Sequence, residues 1–180
     1  HANRVRKHSL AIGKSERLNN RDLLLLEIAA LWHDVGRDFV KVQQDHPDKS
    51  AEIFLHRFPG QNYFSDQEKS TIVFMIKYHD KYHQAKKICT DNKLLKMLRF
   101  LMDADALELI GKIGYERAVE TANFINEVTL VDQLKKQIQW AKIIYTKFAK
   151  QKAKPGLKYL TTILNSFPMI EIDRQANDQH

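Results

Sequence analysis

The sequence predicts an all-α fold, a single-domain helical bundle, and three observations carry that reading. Apolar residues recur at helical spacing along nearly the whole chain. No short run alternates cleanly between turn signals as an exposed strand does. Residues that start helices stand ahead of the apolar runs, and glycines stand behind several of them. With 180 residues and 43% hydrophobic composition, the chain is long enough for one core and needs no second domain.

The elements follow in order. His1-Ala2-Asn3-Arg4-Val5 begins a helix. Asp22 is placed to cap a second one over Leu23 to Val35, with Leu24, Ile28 and Leu31 on one stripe and Gly36 as its stop. Pro47 and Asp48 suit the first turn of a third, whose stripe is Ala51, Phe54, Leu55 and Phe58 before Pro59 and Gly60. Ser65 and Glu68 form a capping-box pattern ahead of Ile72, Val73, Met75 and Ile76, and that helix leads to Tyr78 and His79. Asp91 opens a helix through Leu94, Leu95, Leu98, Leu101, Met102 and Leu109, with a stop expected near Gly111 or Gly114.

A helix near Tyr115 to Ile125 and a long one from Val131 to Lys150 come next, the latter with Leu134, Ile138, Ala141, Ile144, Tyr145 and Phe148 inward. Lys154-Pro155-Gly156 reads as a break before a short segment from Leu157 to Phe167. The helical domain is therefore expected over 1–168, with its motifs in 1–120, a helical extension over 130–168 and a polar tail over 169–180.

Composition narrows the function. A single cysteine, Cys89, makes no internal disulfide, which suits a reducing cytoplasm, and no apolar stretch is long enough to span a bilayer. The formal charge of +7 attracts phosphates. Two stretches carry much of it, Arg4 to Arg21 and Lys142 to Lys158; the second lacks an arginine cluster or a stacking platform and reads as a solvated lysine-rich helix face, and nucleic acid is not the expected partner. The composition leaves the oligomeric state open.

The chemistry is carried by a small set of residues. His33 and Asp34 end an apolar helix in Ala29-Ala30-Leu31-Trp32-His33-Asp34-Val35-Gly36-Arg37. Neighbours on a helix point about 100 degrees apart, so one metal meets both only from the side, with other elements completing its shell. Imidazole and carboxylate together suit Mn, Fe, Co, Ni, Zn or Mg without choosing among them. Met102-Asp103-Ala104-Asp105-Ala106-Leu107-Glu108 places acids in an otherwise apolar helix, which is costly unless they are paired or ligate a metal. Asp103 and Asp105 lie about 200 degrees apart around that helix, so one of them faces the site and periodicity does not say which.

With these motifs the chain resembles the HD-domain phosphohydrolases. Their pattern is a histidine in a His-x-x-Arg-Val context, a His-Asp pair and a later Ala-Asp-x-Leu, matched by His1 with Arg4 and Val5, by His33-Asp34, and by Asp105 with Ala104 and Leu107. The likeness is to small bacterial members, whose acidic run continues into Gly-x-Ile-Gly-x-x-Arg, here Gly111 to Arg117.

The resemblance implies an HD-type bundle that hydrolyses a small phosphate ester, a nucleotide among the options, with metal-activated water. Its metal ligands are then His1, His33, Asp34 and Asp105, with Asp34 catalytic; Arg37, close in sequence to that pair, is the favoured group for phosphate oxygens and the second catalytic candidate. His8 is the alternate to His1, on which the chain opens directly, and Asp103 is the alternate to Asp105, since the helical period does not choose between them. His46 and His79 fall where some members hold a second metal or bind phosphate. Arg4, Lys49, Lys112 and Arg117 are further candidates for phosphate oxygens.

Two other readings remain: a non-catalytic module on the same frame that binds a phosphorylated ligand or a protein, and a phosphodiesterase acting on a phosphoribosyl protein modification. The second needs an extra glutamate near His46, where the sequence offers no clear counterpart.

Overall fold

The computed structural model describes residues 1–124 and 129–167. The chain is all helical over these residues, with α1 (Ala2–Ser15), α2 (Asn20–Trp32), α3 (His46–Arg57), α4 (Asp66–Tyr78), α5 (Tyr82–Ile88), α6 (Asn92–Leu107), α7 (Gly111–Phe124), α8 (Leu130–Lys142) and α9 (Lys147–Ser166). The expected polar tail at 169–180, and Ile125 at the end of an expected helix, lie outside the described residues. No described helix is long and apolar enough to cross a membrane.

The apolar runs from Leu23 to Leu26 and from Ile28 to Trp32 leave α2 few polar faces, and such a helix needs neighbours all round. α1, α4 and α6 pack against it and α3 touches it. Burial follows Leu25, Leu26, Ala29 and Ala30, while Leu31 of the expected stripe is 36% exposed. Asn19, not Asp22, caps this helix: its side-chain oxygen accepts the Asp22 N–H at 2.9 Å, and Asp22 pairs instead with Lys93. The core continues through Val5 and Ile12 of α1, Phe54 of α3, Ile72, Met75 and Ile76 of α4, and Leu98 and Leu101 of α6, in one cluster that also takes in Leu134, Ala149 and Leu160.

α2 ends at Trp32 rather than Val35, so His33 and Asp34 sit at its last turn and just beyond. Gly36 then makes a close approach. Its φ of −75° suits any residue, so it is space that excludes a side chain. A Cβ there would lie 2.6 Å from both the His46 carbonyl oxygen and the Ser50 nitrogen. The Gly36 N–H donates to the buried Ser50 hydroxyl at 2.9 Å, which locks the start of α3 to the turn carrying His33 and Asp34.

α3 has Pro47 in its first turn and buries Ala51 and Phe54, but Leu55 faces outward at 49% exposure. The Ser65–Glu68 capping box forms as expected, and Asp91 caps α6 by accepting the N–H groups of Lys93 and Leu94. α5 was not anticipated: Tyr82–Ile88 is too short and too polar to show a period.

The carboxyl-terminal third reverses the expected boundaries. The long helix is broken between Lys142 and Lys147, whereas Pro155 and Gly156 lie inside an uninterrupted α9. The break is made by a distant residue. Asp103 of α6 accepts the N–H groups of Tyr145 and Thr146 and the Thr146 hydroxyl, each at 2.8 Å, and the Thr146 oxygen caps α9 through the Ala149 N–H. Pro155 costs α9 one backbone donor, and packing against α7 and α8 holds it nonetheless. At Gly156 a Cβ would come within 2.9 Å of the Gly111 nitrogen, so this glycine allows close contact with α7. Gly111 starts α7 instead of ending α6, with a left-handed φ of +70°, and Gly114 lies within α7.

Removing the Asp103 carboxylate leaves two backbone donors without their acceptor. Asp103→Ala is expected to lower stability by about 2–4 kcal/mol. Denaturant unfolding measures it, and an unchanged midpoint would mean that this side chain does not hold the α8–α9 junction.

Candidate metal centre

Five elements converge on Asp34. His1 comes from the start of α1, His33 from the end of α2, His46 from the start of α3, His79 from the end of α4 and Asp105 from α6. The Asp34 carboxylate divides its contacts. Oδ2 lies 3.3 Å from His1 Nε2, 3.5 Å from His33 Nε2 and 2.6 Å from Arg37 Nε. Oδ1 lies 3.1 Å from His46 Nε2 and 3.5 Å from His79 Nε2. Asp105 Oδ1 is 3.1 Å from His1 Nε2 and 3.9 Å from His33 Nε2.

The backbone presets two of the imidazoles. His33 Nδ1 is 2.8 Å from the Ala30 carbonyl and His79 Nδ1 is 2.7 Å from that of Ile76. A carbonyl only accepts, so each Nδ1 carries a proton and each Nε2 is the ring atom turned toward the cluster. Nε2 of His1, Nε2 of His33 and Oδ1 of Asp34 are buried and meet only one another and the other imidazoles and carboxylates of the cluster. Buried nitrogen and carboxylate donors left in this condition fit a divalent cation. Two overlapping groups have the spacing of ligands, His1 with His33 and Asp105, and His33 with Asp34 and His79.

The electrostatics agree with a cation site. Burial alone would raise the Asp34 carboxyl, but bonds from His1, His46 and His79 outweigh it and hold Asp34 far below the usual range. Asp105 is likewise pushed down, burial being outweighed by His1 and His33. Burial pulls His1 down, yet the hydrogen bonds to Asp105 and Asp34 lift it to about 9. Arg117, with Nη1 3.2 Å from His1 Nδ1, works against that charge.

Comparison with known proteins now fixes the family. Residues 1–110 match the HD domain. The chain belongs to the HD-domain family. No curated protein sequence matches it. Among solved structures it is similar to an HD-superfamily hydrolase from Bacillus thuringiensis, at 18% identity and a TM-score of 0.63 over 92% of this chain and 81% of that one. It is also similar to a Listeria innocua protein, at 19% and 0.67 over 92% and 82%. A third is Bacillus subtilis YpgQ in complex with ADP, at 18% and 0.64 over 92% and 81%. These likenesses are of fold. The HD domain is that of a metal-dependent phosphohydrolase or phosphodiesterase acting on a small phosphate ester, and the histidine-aspartate cluster matches that chemistry.

Within this HD domain the structure brings together His1, His33, Asp34, His46, His79 and Asp105, with Arg37 and Arg117 in contact. It places the alternates elsewhere: Asp103 binds the start of α9, and His8 lies two turns along α1, 3.3 Å from Glu108. Lys49 pairs with Glu52, and Lys112 is 80% exposed beside Glu116, so neither contacts the cluster among the described residues.

Arg4 holds Glu108 at 2.5 Å. Glu108 itself escaped the reading of the sequence. It is buried, binds Arg4 and His8, and comes within 3.9 Å of His1 Nδ1, on the stripe of α6 that carries Asp105 three residues earlier. That spacing from Asp105 was the available signal.

Two expectations follow. Asp34→Ala and Asp105→Ala should both lose bound metal with the helical circular dichroism intact, while Asp103→Ala keeps it; metal retained by Asp105→Ala and lost by Asp103→Ala would reverse the assignment. His1 holds a proton up to about pH 9, which a cation must displace. Affinity for Mn should therefore rise roughly tenfold per pH unit between neutrality and that value and then level off. A flat profile in calorimetric titrations would remove His1 from the ligand set.

Proposed function

We propose that this HD domain hydrolyses a nucleotide or a similarly small phosphorylated metabolite, with His1, His33, Asp34 and Asp105 as its metal ligands. The observation that carries the reading is the division of Asp34, which gives one oxygen to His1 and His33 and the other to His46 and His79. When bound, the metal supplies a Lewis acid that polarises the phosphoryl group and activates water as the nucleophile.

The residues of the chain do the rest. Asp34 and Asp105 remain ionised, so neither titrates away from the cation near neutral pH. The Ala30 and Ile76 carbonyls fix His33 and His79 so that no reorientation is needed. Arg37 lies against Asp34 and is half-exposed, and Arg117 lies against His1; both bring guanidinium charge to the place where phosphate oxygens gather.

The paired His46 and His79, with Nε2 atoms 3.2 Å apart and beside Asp34 Oδ1, support a second cation that these three residues would hold, as a second reading beside direct contact with phosphate. The ADP bound by the similar YpgQ supports a nucleotide. We place the chain in the cytoplasm, where Cys89 stays a thiol.

A panel of nucleoside mono-, di- and triphosphates, cyclic dinucleotides and simple phosphomonoesters, assayed with added Mn, Co or Ni, tests the reading. Metal-stimulated release of phosphate or nucleotide is expected, and Arg37→Ala should lower kcat/KM by about tenfold to a hundredfold. Saturable binding of these ligands with no product at any metal would make the frame a binding module and overturn the enzyme reading.

A further inference from the structure

A cavity of about 410 Å3 opens between α5, α6 and the α8–α9 junction, within the size range of sites that hold a whole organic ligand (~300–1,000 Å3). It is bounded by the turn after α4, by α6, and by the α8–α9 junction, through Asp80, Tyr82, Arg99, Met102, Trp140 and Tyr145 among others. Two of its walls are joined through the chain to elements that carry the histidine–aspartate cluster. Asp80 directly follows His79, and Met102 and Ala106 flank Asp105 on α6, Met102 one turn before it on the same stripe.

The lining has the chemistry of a site for a flat, hydrogen-bonding ring. Trp140, Tyr82 and Tyr145 offer aromatic faces, and Met102, Ala106 and Ile144 offer apolar ones. Arg99 lies between Tyr82 and Tyr145, 4.2 and 4.1 Å from their ring centres, and ties α5 to the α8–α9 junction. Asp103, beneath them, is fully occupied by the start of α9. Asp80 is different: its Oδ1 is buried without a hydrogen-bond partner. Asp80 also lines the cavity, and none of the described ion pairs takes its carboxylate, which accepts an N–H donor and has no proton to offer an acceptor.

We propose that this cavity is a nucleobase site, in which the ring stacks on the aromatic side chains and turns an N–H edge to Asp80 while the phosphate reaches the metal centre. Guanine, with two adjacent N–H groups for one carboxylate, fits best. Uracil, whose single N–H is flanked by carbonyl oxygens, fits worst, because those oxygens would oppose Asp80. The assignment deepens the nucleotide reading above and rests on it for its role in turnover. Binding of the base needs neither metal nor phosphate.

The test therefore uses nucleosides, which carry no phosphate. Guanosine and uridine are titrated into the full chain without metal, followed by tryptophan fluorescence and calorimetry, on wild type, Asp80→Ala and Trp140→Ala. Guanosine is expected to bind saturably and at least tenfold tighter than uridine, and each variant should lose roughly tenfold to a hundredfold of that affinity. Trp140→Ala lies away from the ligand segments and serves if Asp80→Ala fails to fold. In metal-loaded assays the preference for guanosine monophosphate over ribose 5-phosphate, read as a KM ratio, should collapse in the same variants.

Equal affinities for the two nucleosides, no nucleoside binding, or variants that bind like wild type would overturn the proposal. Hydrolysis of phosphate esters without any dependence on the base would leave the enzyme reading standing and remove this one. Guanosine binding lost in both variants, with no hydrolysis of any ester, would do the reverse.

Discussion

The buried carboxylate of Asp34 is the constraint on which the rest of the arrangement depends. It is surrounded by four imidazoles and one guanidinium, with the Asp105 carboxylate close by, whose own proton affinity Asp34 raises. Two anions in so little water repel each other and lose hydration, which is costly unless positive charge is held between them. The His1 proton and Arg37 supply such charge in the free protein, and a divalent cation supplies more of it. The surrounding helices are arranged to keep those groups in place: α2 is wrapped by neighbours, so that its end, with His33 fully buried, is a rigid platform.

A platform of this kind needs each partner helix to bring its ligand to the same point, and close backbone contact does much of that. Gly36 admits the first turn of α3 so closely that a methyl group would collide with two backbone atoms. His46 enters the site because of it. The same economy of space recurs at Gly156, where α9 meets the first residue of α7. Neither glycine has an unusual φ, so both serve proximity rather than chain reversal.

That distinction explains much of what was legible in the sequence. Local signals were sound wherever the determinant was local: the Ser65–Glu68 box, the Asp91 cap and Pro47 in a first turn all stand where the spacing put them. The histidine–aspartate cluster was legible because its residues are chemically expensive in an apolar setting, and the ordered motifs resembled a family. What failed depended on distant contacts. The end of α8 is set by Asp103, some forty residues earlier in the chain, which takes up the backbone donors at the α8–α9 junction. Pro155 and Gly156 looked like a break because local propensity says so, and packing on α7 and α8 overrides it.

The two acids of α6 show how one feature yields two roles. Asp103 and Asp105 are both unusual in an apolar stretch, and sequence period alone could not separate them. Their environments do. Asp105 meets two imidazoles and is pushed strongly down, the state a cation requires. Asp103 meets backbone N–H groups and a hydroxyl, and burial, the largest influence on it, raises it despite them. A carboxyl whose partners are neutral dipoles is a structural clamp, whereas one facing imidazoles and another carboxylate is poised for an ion. Because both sit on one helix, the clamp that fixes the α8–α9 junction is tied to the same backbone that carries Asp105 into the cluster. One helix thus carries both a structural clamp and a carboxylate of the cluster, and which role each acid takes is decided by the partner it meets, not by its place in the sequence.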